Sequence, residues 1–200
     1  MDSIANGIAQ CDPVDIEGKW HRHVPARYID EALDGIIAPS RWGRTGGFPI
    51  LHLGKPVDSV VVEAYRHLVD PVDDPAITAQ IAPRRLVTCD IAVSNILDLR
   101  SGVGRLAAGI SVATLTSETT DREAYEHCRR VASIAHQLGL HGIVAPAATG
   151  IGETLVLFTE NLPADEAPAR AGDEIWDRLP PDPRVTTNRV PLRVVEDQDE

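Results

Sequence analysis

The sequence predicts an α+β chain, with small mixed or antiparallel sheets flanked by helices. Short apolar runs of strand length outnumber the helical patterns. The two kinds do not alternate regularly, which argues against a doubly wound parallel sheet. Loops rich in Gly, Pro and Asp separate them.

Residues 1–17 read as a loose leader, polar and without periodicity. Lys19–Val24 reads as a short strand, with His21 and His23 on one face and Arg22 on the other. Phe48–Leu53 is a second strand, bounded by Gly46-Gly47 and Gly54. A helix follows over Val57–Val69, with Val60, Val61, Ala64 and Leu68 as its apolar face and Asp70-Pro71 as its stop. Arg85–Val93 is the next strand, and Ile96–Leu99 begins a further element. Residues 101–119 are apolar and rich in Gly, Ser and Thr, without a clear period.

The best-specified helix starts at a capping box of Thr120 and Glu123. Ala124, Cys128, Val131, Ala135 and Leu138 form its apolar stripe, and Gly139 ends it. Gly142–Pro146 and Leu155–Phe158 read as buried strands joined by the turn AATGIG. The chain becomes Pro- and acid-rich from Leu162, with a last strand around Arg189–Val195 and a disordered acidic tail over 196–200. The domain division is therefore 1–17 leader, 18–160 main domain, 161–195 completing extension and 196–200 tail.

A net charge of −11 makes nucleic acid an unsuitable partner for the surface as a whole. Cys11, Cys89 and Cys128 are scattered, as free thiols in a reducing compartment would be. The first residues lack the basic and apolar regions of a signal peptide, and no apolar run reaches the length of a membrane span. The expectation is a cytoplasmic chain with no membrane partner.

Chemistry concentrates between Trp20 and Leu68, where WHRH, SRWGRTGG and SVVVEAYRHL set Arg and His beside apolar runs. Arginines carried into half-buried elements suit an anionic partner such as a phosphorylated nucleotide. HRH has two histidines on one face, but no third ligand at a telling distance and no HExxH. No metal is assigned. GRTGG and ATGIG lack the endings of phosphate-binding loops and read as turns. Ser40 and Ser133 have no histidine at diagnostic spacing, and His141 reads as a local cap or surface residue. Glu63 lies at the border of a buried helix face, where a solvated glutamate is the plain alternative. Arg22 and Arg41 could equally be structural partners of carboxylates.

The order Arg22, Arg41-Trp42, His52, Glu63 along strand, loop, strand and helix resembles the RES-domain family. Its members, named for an Arg, a Glu and a Ser, are toxins of bacterial toxin–antitoxin pairs. WHRH, SRWG, LHLG, the glutamate of SVVVEA and a late IVAPAA carry the resemblance, across most of residues 18–160. His23 and His52 stand where the family commonly has tyrosine, and Ala147 stands at the family's serine, with Thr149 as a possible substitute. The resemblance implies a fold related to ADP-ribosyltransferases and cleavage of the nicotinamide–ribose bond of NAD, by hydrolysis or phosphorolysis.

In that reading NAD is the substrate and no resident cofactor is needed. Glu63, Arg41 and Arg22 would be catalytic. Arg22, His23, Arg41, Trp42, His52, Ala147 and Thr149 would line the NAD site, the arginines taking the pyrophosphate and the rings stacking on the bases. A small antitoxin protein is the implied partner, and a homodimer is possible. A transferase acting on a specific target and a catalytically silent binding module are the alternatives.

Overall fold

The structure, a computed structural model, describes residues 3–72 and 80–186. The elements follow as α1 (Ser3–Ala9), β1 (Val14–Pro25), β2 (Ile50–Lys55), α2 (Val57–Leu68), β3 (Arg84–Asp98), α3 (Gly102–Ala107) and α4 (Val112–Leu115). Then come α5 (Arg122–Gln137), β4 (Gly142–Pro146), β5 (Glu153–Phe158), β6 (Ala169–Trp176) and α6 (Pro183–Thr186). The expected strand at Arg189–Val195 and the acidic tail lie outside the described residues.

The six strands form one sheet, largely antiparallel, in the order β1-β2-β5-β4-β3-β6. β1 also pairs with β3 from Val14↔Ile96 to Pro25↔Arg84, and touches β2 at His21↔Gly54. Five strands therefore close on themselves, and β6 hangs on the outer half of β3. β3 and β4 are the parallel pair, from Ile96↔Gly142 to Asp98↔Val144. One core lies within this curled sheet, around Trp20, Leu51, Leu53, Ile91, Ile96 and Leu155. Another, lying between the sheet and α5, gathers around Trp42, Ile50, Leu99, Cys128, Val131 and Phe158, and two smaller clusters centre on Val60 with Trp176 and on Val24 with Val87. The α+β expectation holds. No helix among the described residues is long and apolar enough to cross a membrane.

Several expectations need correction. The leader is not loose: residues 3–9 form α1, whose Ile8 is buried in the core beside α5, and β1 already runs from Val14. A short, mostly polar stretch hides this, because the docking rests on a few scattered side chains: Ile8 is buried, and Ile4 and Cys11 pack against the same core. The separate element at Ile96–Leu99 is the continuation of β3 through Asp98. Ser94-Asn95 interrupts the apolar run, yet both are satisfied: Glu166 accepts from Ser94 N and Oγ, and Asn95 Nδ2 donates to Gly139 O. Asn95 sits at φ 56, a region Asn tolerates better than most residues.

Helix α5 is capped by Asp121, not Thr120: Asp121 Oδ1 accepts from Ala124 N at 3.0 Å. Two adjacent residues competed for the cap, and the carboxylate won one position later. The stripe is buried at Ala124, Cys128, Val131 and Ala135, whereas Leu138 is exposed. Likewise Leu68 is only partly buried on α2, whose buried residues are Ser59 to Val62 and Ala64. Residues 101–119 hold α3 and α4, capped by Ser101 and Ser111, each accepting from a backbone N–H three residues on. β6 carried no clear sequence signal, because seven of its eight residues are exposed or half-buried. His141 is neither a cap nor a surface residue: its Nδ1 lies 2.8 Å from Glu166 Oε2 and ties down the 3-10 turn at Ala164–Glu166.

Candidate active site

The site forms where α2 crosses the β1–β2 corner. Gly54 of β2 permits the approach, since a Cβ there would stand 3.1 Å from Val60 Cγ2. On α2, Glu63, Arg66 and His67 fall at i, i+3 and i+4 and share a face. Opposite stand Arg22 from β1, His52 from β2, Ser40–Trp42 from the connecting loop and Thr149 from the β4–β5 turn. Between them lie two adjoining cavities of about 340 and about 250 Å³. Both are bounded by Ser40, His52, Glu63 and His67, so these four residues mark the middle of one cleft.

Glu63 is surrounded by protein yet open to water through the cleft, its side chain 42% accessible. Burial works to raise its carboxyl, but His67, His23 and His52 outweigh it and hold the pKa at about 2. His67 Nε2 stands 3.6 Å from Glu63 Oε1. Burial pushes His52 down to about 4 and His23 down to about 3, with Arg84 helping at His23 and Glu63 opposing at both. Near pH 7 the site thus holds an ionised carboxylate facing two neutral imidazoles. Those two rings charge only in acid, where they keep Glu63 ionised.

The expected NAD-site residues sort into three groups. Glu63, His52 and Arg22 do converge on the cleft. Arg22 lines the smaller cavity and donates from Nη1 to Ala32 O at 2.8 Å. His23 also lines that cavity, but its Nδ1 accepts from Arg84 Nε at 2.7 Å and its ring stacks on Trp176. His21 Nδ1 lies 3.0 Å from Thr88 Oγ1. Among the described residues no group of three or more His, Cys, Asp or Glu could hold a metal ion.

Arg41 borders the larger cavity but is only 9% exposed. Its Nη1 donates to Thr114 O and Ser117 Oγ at 3.0 Å, and its Nη2 donates to Ser117 O at 2.6 Å. Its guanidinium also lies over the Tyr125 ring, 4.4 Å from the centroid. Both of its terminal nitrogens are thus engaged within the chain, by Thr114 in α4 and by Ser117 just after it, where the sequence led to an expectation of a pyrophosphate contact. Trp42 is 4% exposed and belongs to the core, giving the cavity an edge of wall and not a stacking face.

Ala147 is 2% exposed and does not line the cleft. The turn built on Gly150 and Gly152, both at positive φ, tucks it inward, its N donating to Gly152 O. Thr149 faces the cleft instead, with Oγ1 3.1 Å from Ser59 Oγ.

Ser40 does meet a histidine, its Oγ lying 3.5 Å from His52 Nε2. That oxygen also accepts from Trp42 N and Gly43 N, which makes it a turn-closing hydroxyl. Sequence reasoning missed Arg66, His67 and Tyr125. The first two had a signal, their helical spacing from Glu63; Tyr125 had none.

An α+β chain folded around a cleft with one ionised glutamate, neutral histidines and flanking arginines is the class these observations define. The RES domain family matches residues 19–178, and the chain belongs to that family. Among curated proteins no relative matches. Among solved structures, the crystal structure of the M. tuberculosis MbcT–MbcA toxin–antitoxin complex is similar, with a TM-score of 0.71 and 20% identity. The alignment covers 88% of this chain and 93% of that one. At this identity the likeness speaks for the fold.

Proposed function

We propose that this chain is an NAD-consuming toxin of a toxin–antitoxin pair, cleaving the nicotinamide–ribose bond. The observation that carries the reading is Glu63, ionised at the centre of a cleft in a RES-domain chain. Breaking that bond leaves positive charge on the ribose, as in glycoside cleavage. A carboxylate already ionised at neutral pH stabilises the cation without first losing a proton. Nicotinamide leaves as a neutral base, so no strong acid is required. The acceptor then takes the ribosyl carbon and yields its proton. Neutral His52, beside Glu63, is a base for that proton. Its low proton affinity suffices, because a nucleophile attacking a cation is strongly acidic.

The partner is a small antitoxin protein. The similar MbcT–MbcA structure supports this, being a toxin–antitoxin complex. A specific transferase uses the same cleft and is separated by its product. The test is to incubate the full chain with NAD, with and without phosphate and with a cell extract. Free nicotinamide with ADP-ribose means hydrolysis, and phosphate-dependent loss of NAD means phosphorolysis. A labelled macromolecule means transfer. An intact NAD pool, together with harmless expression when the chain is induced without its genomic neighbour, would sink the toxin reading.

A further inference from the structure

With Arg41 engaged by backbone, the larger cavity needs another cation if it is to hold an anion. Arg66 is that cation. It lies one helical turn beyond Glu63 on α2, lines the larger cavity and is 15% exposed. Its Nη1 donates to Ala148 O, which fixes the guanidinium against the β4–β5 turn. Its Nη2 faces Glu118 Oε2 at 3.7 Å, a carboxylate whose side chain is 84% exposed. The two ends of the guanidinium thus differ. One is anchored to a backbone carbonyl. The other meets a carboxylate at the outer limit of ion pairing, on a side chain almost wholly in water, where such a pair holds weakly.

A guanidinium anchored at one end is pre-organised, so little side-chain entropy is lost when the other end exchanges one oxyanion for another. Phosphate oxygens accept from guanidinium in short, charge-assisted bonds. We propose that Arg66 is the phosphate-binding subsite of the cleft and that Glu118 is the carboxylate a phosphate group displaces. The subsite lies on the same helical face as Glu63, so an anion held there is delivered beside the reacting carboxylate. Two sources share this chemistry: the diphosphate of a nucleotide and inorganic phosphate arriving as acceptor. That they belong to NAD cleavage rests on the function proposed above; the subsite itself does not.

The experiment is calorimetric titration of the full chain with inorganic phosphate, inorganic pyrophosphate and ADP-ribose. The wild type is compared with Glu118→Gln, Arg66→Lys and Arg66→Gln. Glu118→Gln removes the competing charge from an exposed side chain, so folding is preserved and affinity should rise severalfold. Arg66→Gln should weaken binding by about tenfold or more, and Arg66→Lys should fall between. Binding of ADP-ribose and pyrophosphate, with weak binding of phosphate, assigns the subsite to a nucleotide diphosphate. Strong binding of phosphate alone assigns it to the acceptor. Unchanged affinity in Glu118→Gln, or no binding of any of the three by the wild type, overturns the subsite. Arg66-dependent binding in a protein that leaves NAD intact overturns the proposed function and leaves the subsite standing.

Discussion

Two arginines from neighbouring parts of the chain border the same cavity and are held in opposite ways. Arg41 sits in a loop clamped to α5. Its guanidinium is buried on Tyr125 and on the carbonyls of Thr114 and Ser117. The clamp continues beside it: Arg129 Nε donates to Ser40 O, and Glu126 pairs with both Arg44 and Arg129. Arg66 sits on the α2 face with Glu63 and His67, tethered at one end and covered at the other by an exposed carboxylate. The difference teaches that residue type and nearness to a cleft do not assign a role. What decides it is whether the polar atoms already have partners that cannot leave. The clamped loop gives the cleft a wall of engaged side chains, and the α2 face gives it the carboxylate of Glu63, the imidazole of His67 and a guanidinium tethered at one end.

The largest effect should come from the α2 face. Glu63→Gln keeps size and removes charge, so NAD turnover should fall by about 10²-fold or more while the melting temperature holds. A folded variant with an unchanged rate would remove Glu63 from the chemistry and erase the distinction between the two regions.

Arg41→Lys tests the clamp. A lysine has one point-like nitrogen in place of the two that reach Thr114 and Ser117 and loses the stacking on Tyr125, so stability should drop by about 2 kcal/mol, read as a lower urea midpoint at constant slope. NAD affinity should fall only as far as the wall loosens. Unaltered stability with a clear loss of affinity would return Arg41 to the ligand.

Acid titration probes the histidines across the cleft from α2. His52 and His23 have folded values of about 4 and about 3, below the ordinary 6.5. Between those limits the unfolded chain binds more protons than the folded one, so stability rises with pH. Their contribution is fully present above about pH 6.5 and is lost as pH falls toward 4. Melting temperature should therefore decline over that interval, and His52→Gln should flatten the decline. An identical profile in the variant would mean that His52 titrates normally.

The smallest effect concerns the base of the clamp. Asp121→Ala should cost about 1 kcal/mol by uncapping α5, whereas Thr120→Ala should cost almost nothing. The reverse order in thermal melts would restore the Thr120 capping box.

The sequence by itself determined the elements whose burial pattern is local. α2, β4 and most of α5 are legible because their apolar spacing matches one period and a Pro or Gly ends them. The ordered Arg, Arg-Trp, His, Glu series likewise sufficed to expect the family and to single out Glu63. What only the tertiary structure decided concerns partners distant in the chain. Thr114 and Ser117 lie 73 and 76 residues from Arg41, and Ala148 lies 82 from Arg66. Nothing in local spacing says which arginine will find permanent carbonyl partners. Ala147, at the family's serine position, is tucked inward, whereas Thr149, two residues on, faces the cleft from a turn with glycines whose positive φ no side-chain pattern announces. Periodicity reports whether a side chain is buried; hydrogen-bond satisfaction depends on what the folded chain brings next to it, and at this cleft that second quantity distinguishes Arg41, engaged at both ends, from Arg66, tethered at one.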